Sequence, residues 1–507
     1  MKKQLIGSIG SMVKKQARIY GDKPLFIKDD VIRTYQDFDF RTDRLASGLI
    51  HLGITTGKPI ATYLKNSIEL LEAYTAIGKA KAATVCVNSA LTPREITYIF
   101  QDSEAEIIIT DDEHLNNVEQ VLADCPCVKH VIVVGESGDH LAFEDVLTMS
   151  LYTELPDVTG DDLFSIVYTS GTTGQPKGTR LTHRNWTWVT AACVDALNFE
   201  EDDIFVSSLP LFHSYAVNTC FLQVIYTGAT EVLIERFSPT AVLNAIQKYK
   251  GTVFPGVPTM FNYLTNFAER KQYDTSTLRM AISAGAVLTE KVISDFEKEF
   301  NIKIYNGWGS TETATFATFE RVGDEQLPGS CGLPLPGCTI RIVDENGEDC
   351  APGVRGEMII RGPNVMMGYQ KKPIETNKAL KNNWYHTGDV AYIDENGYIF
   401  VIDRLKDIII SGGYNVAPKE VEDAIIEHPA VLDAAVVGLP DEALGQVIKA
   451  FVVLKEGQFI TSQELLDSCR LSLGKYKLPR FIEFVESLPR TTSGKIQRFA
   501  LVEKQKV

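Results

Sequence analysis

At 507 residues the chain is too long for one ordinary hydrophobic core, so two or more domains are expected. Its hydrophobic fraction of 44% beside 23% charged residues is that of a soluble globular protein. Lys and Arg number 50 against 66 Asp and Glu, a formal charge of −16; that balance excludes a general nucleic-acid binder, which gains affinity from cationic surface, while leaving room for local basic pockets that take phosphates.

The N-terminus, "MKKQLIGSIGSMVKKQARIYG", starts like a signal peptide, but its apolar stretch is broken at Gly7 and Gly10 and followed by Lys14 and Lys15. The pattern predicts a short amphipathic helix with a solvated, Lys-rich face and no export signal; contact of that face with an anionic lipid surface stays open. No apolar run of ~18 uncharged residues occurs, so no transmembrane helix is expected. The nine cysteines include one close pair, Cys125 and Cys127, and no second pair at zinc-finger spacing. Neither a disulfide framework nor a metal cluster is favoured, and a cytoplasmic, reduced protein is the simplest expectation.

From about Leu45, helical patterns alternate with short β-branched runs: "LASGLIHLGI", "PIATYL", "ELLEAYTAIGKAKA", "ATVCVN", "REITYIFQDSE", "AEIIIT". Such alternation predicts parallel strands with crossover helices. It resumes with "EVLIE", "AVLNAIQKYK", "TVFPGV", "LRMAISAG", "LTEKVISDFEKEF" and "IKIYNGWG". Beyond Arg341, "RIVDENGEDC" and "AYIDENGYIF" set Asn346-Gly347 and Asn396-Gly397 between strand-like runs, a type I′ hairpin signal. After "VIDRLKD" comes a small α+β pattern of about 100 residues, enough for its own core. The expected fold is α/β: a large N-terminal domain (1–402) of two doubly wound α/β units plus an antiparallel β region, a hinge at 403–407, and a small mobile α+β domain at 408–507.

Between the two alternating regions lies "IVYTSGTTGQPKG", Ile166 to Gly178. A Walker loop requires G-x-x-x-x-G-K-S/T leading into a helix; here Pro176 precedes the lysine and Gly178 follows it, so that test fails. The physics of anion binding survives, because glycines admit close approach of the backbone, successive N–H groups form a concave nest and hydroxyls add donors. Ser170, Thr172, Thr173 and Lys177 could grip a polyphosphate.

This stretch resembles the signature of the adenylate-forming superfamily, which includes acyl-CoA synthetases, luciferases and peptide-synthetase adenylation domains. The resemblance continues in order and approximate spacing through "LPLFHSYA", "VPTM", "SAGAVL", "NGWGSTET", "GLPLPG", "YHTGD", "DRLKDIIISGGYNVAPKEVE" and "PRTTSGKIQR", nearly the whole chain. It implies activation of a carboxylic acid by ATP as an acyl-AMP, then transfer of the acyl group to CoA. The transition state gathers charge on the carboxylate, the α-phosphate and the departing pyrophosphate, so positive charge is needed at all three.

By that resemblance the Ser170-to-Lys177 loop holds the phosphates, and Gly285, Ala286, Asn306 and Gly307 line the nucleotide site. Trp308, where the family more often has Tyr, offers a flat face to adenine. Thr311 offers a hydroxyl to the α-phosphate, and Glu312 a carboxylate to the Mg²⁺ that accompanies ATP. Asp389 accepts from the ribose hydroxyls. Arg404 reaches the ribose or a phosphate; an ion pair with Asp403 or Asp407 competes with that role. Lys406 occupies the hinge. Lys495 bridges the substrate carboxylate and the α-phosphate, and Gly412 and Gly413 leave room for the pantetheine arm, which implies that the small domain rotates to present each in turn. His213 closes the acid pocket or orients the reacting carbonyl, with a packed core histidine as the alternative.

The segments "SSLPLFHSYAVNTCFLQVIYTGA" and "VFPGVPTMFNYL", expected to form the acid pocket, carry no Arg, Lys or Asp, which favours a lipophilic monocarboxylic acid. Within the superfamily the sequence is most similar to bacterial medium- and long-chain fatty acyl-CoA ligases. Aryl-acid CoA ligases share every motif used here, and an adenylating enzyme that loads a separate carrier protein remains a further alternative. The expected ligands are ATP, Mg²⁺, CoA and the acid; a homodimer is compatible with the sequence.

Overall fold

A computed structural model describes residues 7–149, 154–169, 175–286, 288–405, 407–411, 414–441, 444–490 and 496–503. Two large sheets, a third antiparallel sheet and a separate five-stranded sheet near the C-terminus carry the architecture.

In the eight-stranded first sheet, Pro59–Tyr63, Ala83–Cys86, Ile107–Asp111, His130–Val134 and Leu163–Thr169 run parallel, as the alternating pattern predicts. All five residues of Ile107–Asp111 are buried, since helices cover both faces of a parallel sheet. The seven-stranded second sheet is built from Ile204–Ser207, Thr230–Leu233, Val253–Gly256, Met280–Ser283 and Lys303–Asn306, again parallel.

The two doubly wound units are not consecutive along the chain. Pro24–Lys28, near the N-terminus, joins the second sheet through Phe26 opposite Glu231, and Gly368–Tyr369 joins the first sheet through Gly368 opposite Arg180. Leu25 and Phe26 are fully buried there; an apolar strand of this kind needs a sheet with a covered face, and the second sheet supplies it. The N-terminal helix forms as expected, Ile9–Tyr20 capped by Ser8, and buries Ile9, Met12, Val13 and Ala17 while Lys14 and Lys15 face solvent. Among the described residues no helix is long and apolar enough to cross a membrane.

The Asn-Gly turns correct the expected geometry. Type I′ needs positive φ at both central residues, but only the glycines, Gly347 at 83° and Gly397 at 89°, have it. The reason is the aspartate at the start of each turn: Asp344 and Asp394 accept the N–H of Asn346 (2.9 Å) and Asn396 (3.0 Å), and their carbonyls accept from the glycines. Each turn is thus an Asp-Glu-Asn-Gly turn with glycine closing it in the left-handed region. The second joins Trp384–Ile393 to Ile399–Arg404 in the antiparallel sheet.

Near the C-terminus, Val431–Asp441 and Gly445–Leu454 form a long hairpin covered by helices Pro418–Ile426 and Ser462–Cys469. Ile409, Val421, Ile425, Val436 and Leu465 belong to a core cluster separate from that of the large sheets. Arg355 reaches across to Glu420 at 2.7 Å, and Lys477 holds the other carboxylate oxygen at 2.6 Å.

Candidate active site

Strand Leu163–Thr169 and strand Lys177–Thr182 pair antiparallel, with Thr169 opposite Lys177, so the first strand is followed by a second strand and not by a helix. That is the structural counterpart of the failed Walker test. A Cβ on Gly178 would lie 2.7 Å from Ile166 Cγ2 and 2.9 Å from Tyr168 Cζ; only glycine lets the two strands meet here. Tyr98 donates to the carbonyl of Pro176 at 3.1 Å and fixes the exit of the loop. Ser170, Thr172 and Thr173 lie outside the described residues, as do Lys406, Gly412, Gly413 and Lys495.

Lys177 projects from the start of its strand, with Nζ 5.2 Å from the ring centroid of Tyr369. Tyr369 arrives there because Gly368–Tyr369 pairs with the same strand, Tyr369 opposite Thr179. Its hydroxyl donates to Glu312 Oε1 at 2.9 Å. Burial, then the Glu312 carboxylate, raises the Tyr369 phenol above its usual range, so it stays a donor. Thr311 and Glu312 open the short turn Thr311–Thr313, and the Glu312 carbonyl accepts the N–H of Met366 at 2.9 Å. Two backbone links therefore bring the Met366–Tyr369 stretch to the phosphate-loop strand and to Glu312 together.

Asp389 and Arg404 sit opposite each other in the antiparallel ladder, and Arg404 Nε lies 2.6 Å from Asp389 Oδ1. Burial opposes the charge of Arg404, but Asp389, then Tyr385 and Glu312, hold the guanidinium above its ordinary value. The competing sequence expectation, a pair with Asp403 or Asp407, is not what forms. Asp403 instead accepts the backbone N–H groups of Arg404 (2.8 Å) and Lys419 (3.0 Å), and Asp407 approaches Arg498 at 3.7 Å. Tyr385, buried, accepts from Ser310 Oγ at 3.4 Å and lies in the field of Glu312 and Asp389. Lys177, Tyr369, Glu312, Arg404, Asp389 and Tyr385 thus form one connected patch of polar groups.

Trp308 is half-buried against the core, its backbone pinned by Thr318 Oγ1, which accepts its N–H at 3.2 Å. Gly307 is wedged beside the Phe319 ring, 2.8 Å from where a Cβ would stand. Asn306 spends its side-chain amide on the Ser330 carbonyl at 3.1 Å, so it shapes the loop and its amide is already engaged. Gly285 adopts φ 83° at the end of strand Met280–Ser283, where a Cβ would meet only Val257 Cγ1 at 3.8 Å, and Ala286 follows it. His213 caps the short helix Ser214–Ala216, its Nδ1 accepting from Tyr215 N–H at 3.2 Å. Thr315, a β-branched residue at φ 104°, is held in that strained conformation by donating to the Ser214 carbonyl at 2.7 Å. This bond ties the Thr311–Glu312 turn to the His213 segment.

Sequence reading missed Tyr369 and Tyr385 as site residues. Tyr385 was visible beside "HTGD"; Tyr369 had no local signal, because a strand pairing across nearly two hundred positions puts it beside Lys177. Among the described residues no group of three or more His, Cys, Asp or Glu could hold a metal ion. A single carboxylate such as Glu312 does suit Mg²⁺ that remains largely on ATP phosphates and water.

The sequence matches the AMP-binding enzyme family over residues 13–370 and the AMP-binding enzyme C-terminal domain over residues 420–495. It is 34% identical to a long-chain-fatty-acid–CoA ligase of Bacillus subtilis (strain 168), covering 92% of this chain and 89% of the relative. It is 35% identical to a feruloyl-CoA synthase of Amycolatopsis sp, covering 96% and 97%. The crystal structure of the anthranilate CoA ligase AuaEII with anthranoyl-AMP superposes with a TM-score of 0.94 at 29% identity, over 99% of this chain and 98% of that one. The chain belongs to the AMP-binding enzyme family, among its AMP-forming acyl- and aryl-CoA ligases.

Proposed function

We propose that the protein activates a compact lipophilic monocarboxylic acid with MgATP and transfers the acyl group to CoA. A carboxylate oxygen attacks the α-phosphorus and the bond to pyrophosphate breaks; the CoA sulfur then attacks the carbonyl carbon, and AMP leaves as the thiol proton passes to solvent. Lys177, with Ser170, Thr172 and Thr173, holds phosphates; Trp308 faces adenine; Asp389 and Arg404 take the ribose side. Thr311 meets the α-phosphate, Glu312 takes the Mg²⁺ of the nucleotide, and Lys495 bridges the carboxylate and the α-phosphate. The patch joining Lys177, Glu312, Arg404 and Asp389 carries this reading, since it offers two cations to phosphates, one carboxylate to Mg²⁺ and one to ribose hydroxyls.

The acid is proposed to be compact because of Tyr215. Its ring is buried, edge-on to Phe316, and its hydroxyl donates to the carbonyls of Ile282 (2.9 Å) and Gly256 (3.2 Å). It therefore links the His213 segment to the end of strand Val253–Gly256, the two stretches expected to line the acid, and to strand Met280–Ser283. On this reading Tyr215 forms the far wall of the acid site, and a long alkyl tail would have to displace it. A panel of aromatic acids and fatty acids of increasing length, with ATP, Mg²⁺ and CoA, scored by acyl-CoA mass, tests this. Turnover confined to aromatic and medium-chain acids supports it; preference for long chains contradicts it.

We further propose that the small domain turns about Lys406 between the two half-reactions, presenting Lys495 for adenylation and the Gly412–Gly413 loop for thioester formation. What supports this is the separate core of that domain and the backbone caps from Asp403 immediately before the turn.

A further inference from the structure

Beneath the adenine-facing segment lies a carboxylate that the chemistry above does not use. Glu320 is 8% exposed. Its Oε2 accepts the backbone N–H of Asn306 at 2.7 Å and Gln326 Nε2 at 3.2 Å, while its own N–H donates to the Asn306 carbonyl at 2.9 Å. Two residues earlier, Thr318 Oγ1 accepts the N–H of Trp308, and the Trp308 carbonyl accepts from Ala317 and Thr318. The stretch Ala317–Glu320 thus clamps Asn306–Trp308 from one side, and its backbone is wedged by Gly332, where a Cβ would fall 2.1 Å from the Phe319 carbonyl carbon. Of these clamping contacts only the Glu320 carboxylate can change charge.

We infer that Glu320 is a positioning residue for ATP, its ionised carboxylate holding Asn306–Trp308 in the conformation that receives adenine. A charged acceptor roughly doubles the strength of such a hydrogen bond, and protonation gives that up. Burial pushes the Glu320 carboxyl up to about 7, against the lowering effect of its bonds to Asn306 and Gln326. The groups facing it are Glu297 from helix Glu290–Phe300, Lys303 and Tyr305 from strand Lys303–Asn306, Cys331 and Tyr398. Burial raises both phenols and pushes the Cys331 thiol up to about 12, so none of these three changes charge near neutrality. ATP affinity is therefore expected to fall as pH drops through the neutral range, by roughly fivefold between about pH 8 and about pH 6.

This inference rests on the ATP-dependent reading above, and the test separates the two. MgATP binding to the full chain is measured by calorimetry at a series of pH values from about 6 to about 8 for the native protein, Glu320→Gln and Gln326→Met. Glu320→Gln keeps an acceptor oxygen without the charge, so it should bind roughly fivefold more weakly than the native protein at about pH 8 and equally at about pH 6. Comparing proteins at one pH cancels the titration of ATP itself. Gln326→Met removes a bond that favours the ionised form and should shift the midpoint to higher pH, which keeps the test available if Glu320→Gln does not fold. Native-like pH dependence in Glu320→Gln, or an unmoved midpoint in Gln326→Met, overturns the role of Glu320 and leaves the ATP reading standing. No MgATP binding by the native protein at any of these pH values overturns both.

Discussion

Arg404 Nε lies 2.6 Å from Asp389 Oδ1, joining the strand that carries "HTGD" to the last residue of strand Ile399–Arg404. The Asp389 side chain is 4% exposed and that of Arg404 45% exposed, so the carboxylate depends on the guanidinium more than the reverse. Arg404→Leu leaves a buried carboxylate without its cation and is expected to cost on the order of 1 to 3 kcal/mol of stability, together with weaker ATP binding. Asp389→Asn removes the charge but keeps the shape, so it should weaken ATP binding with a smaller stability loss. Thermal melts beside MgATP titrations check both; equal melting temperatures for Arg404→Leu and the native protein would contradict the first.

Tyr369 both lies beneath Lys177 and donates to Glu312. Tyr369→Phe keeps the ring and deletes the hydroxyl, a loss of about 1 kcal/mol of orientation at the carboxylate and roughly fivefold in adenylation rate. Because Glu312 is the proposed Mg²⁺ contact, the loss should shrink as Mg²⁺ is raised. Pyrophosphate release measured against Mg²⁺ concentration reads this out, and a deficit independent of Mg²⁺ would speak against Glu312 in that role.

Stability should carry the signature of Glu320. A carboxyl held near 7 in the folded state and at its ordinary 4.5 in the unfolded chain makes the folded state bind more protons between those values. The stability it contributes is full below the lower value and is lost as pH rises through the upper one, about 3 kcal/mol in all. Melts of the native protein and Glu320→Gln should therefore separate in favour of the variant as pH rises from about 5 to about 8. A constant difference would place the carboxyl at its ordinary value.

The alternating pattern that predicts parallel strands depends only on local periodicity, and there sequence and structure agree from Pro59 to Asn306. What depends on distant pairing was not legible. The N-terminal strand Pro24–Lys28 carries no mark of which sheet it joins, and Tyr369 becomes a neighbour of Lys177 only through a two-residue strand. The Asn-Gly dipeptides misled because the aspartate two residues earlier bonds the backbone and selects the turn. Arg404 had two nearby aspartates in sequence, yet the ladder register, which no local pattern encodes, placed Asp389 opposite it.

The proposed turning of the small domain separates the half-reactions. Lys495→Ala should lower adenylation by on the order of 10²- to 10³-fold while leaving thioester formation from supplied acyl-AMP near native. Parallel collapse of both steps, followed by quenched-flow detection of acyl-CoA, would contradict domain alternation.

The adenylation chemistry itself is tested most directly by acid-dependent exchange of labelled pyrophosphate into ATP, with Mg²⁺ and without CoA. Exchange that requires a compact lipophilic acid, and that disappears when Thr172, Thr173 and Lys177 are replaced together, is the predicted result. Exchange with no acid present, or undiminished exchange in that triple variant, would contradict it.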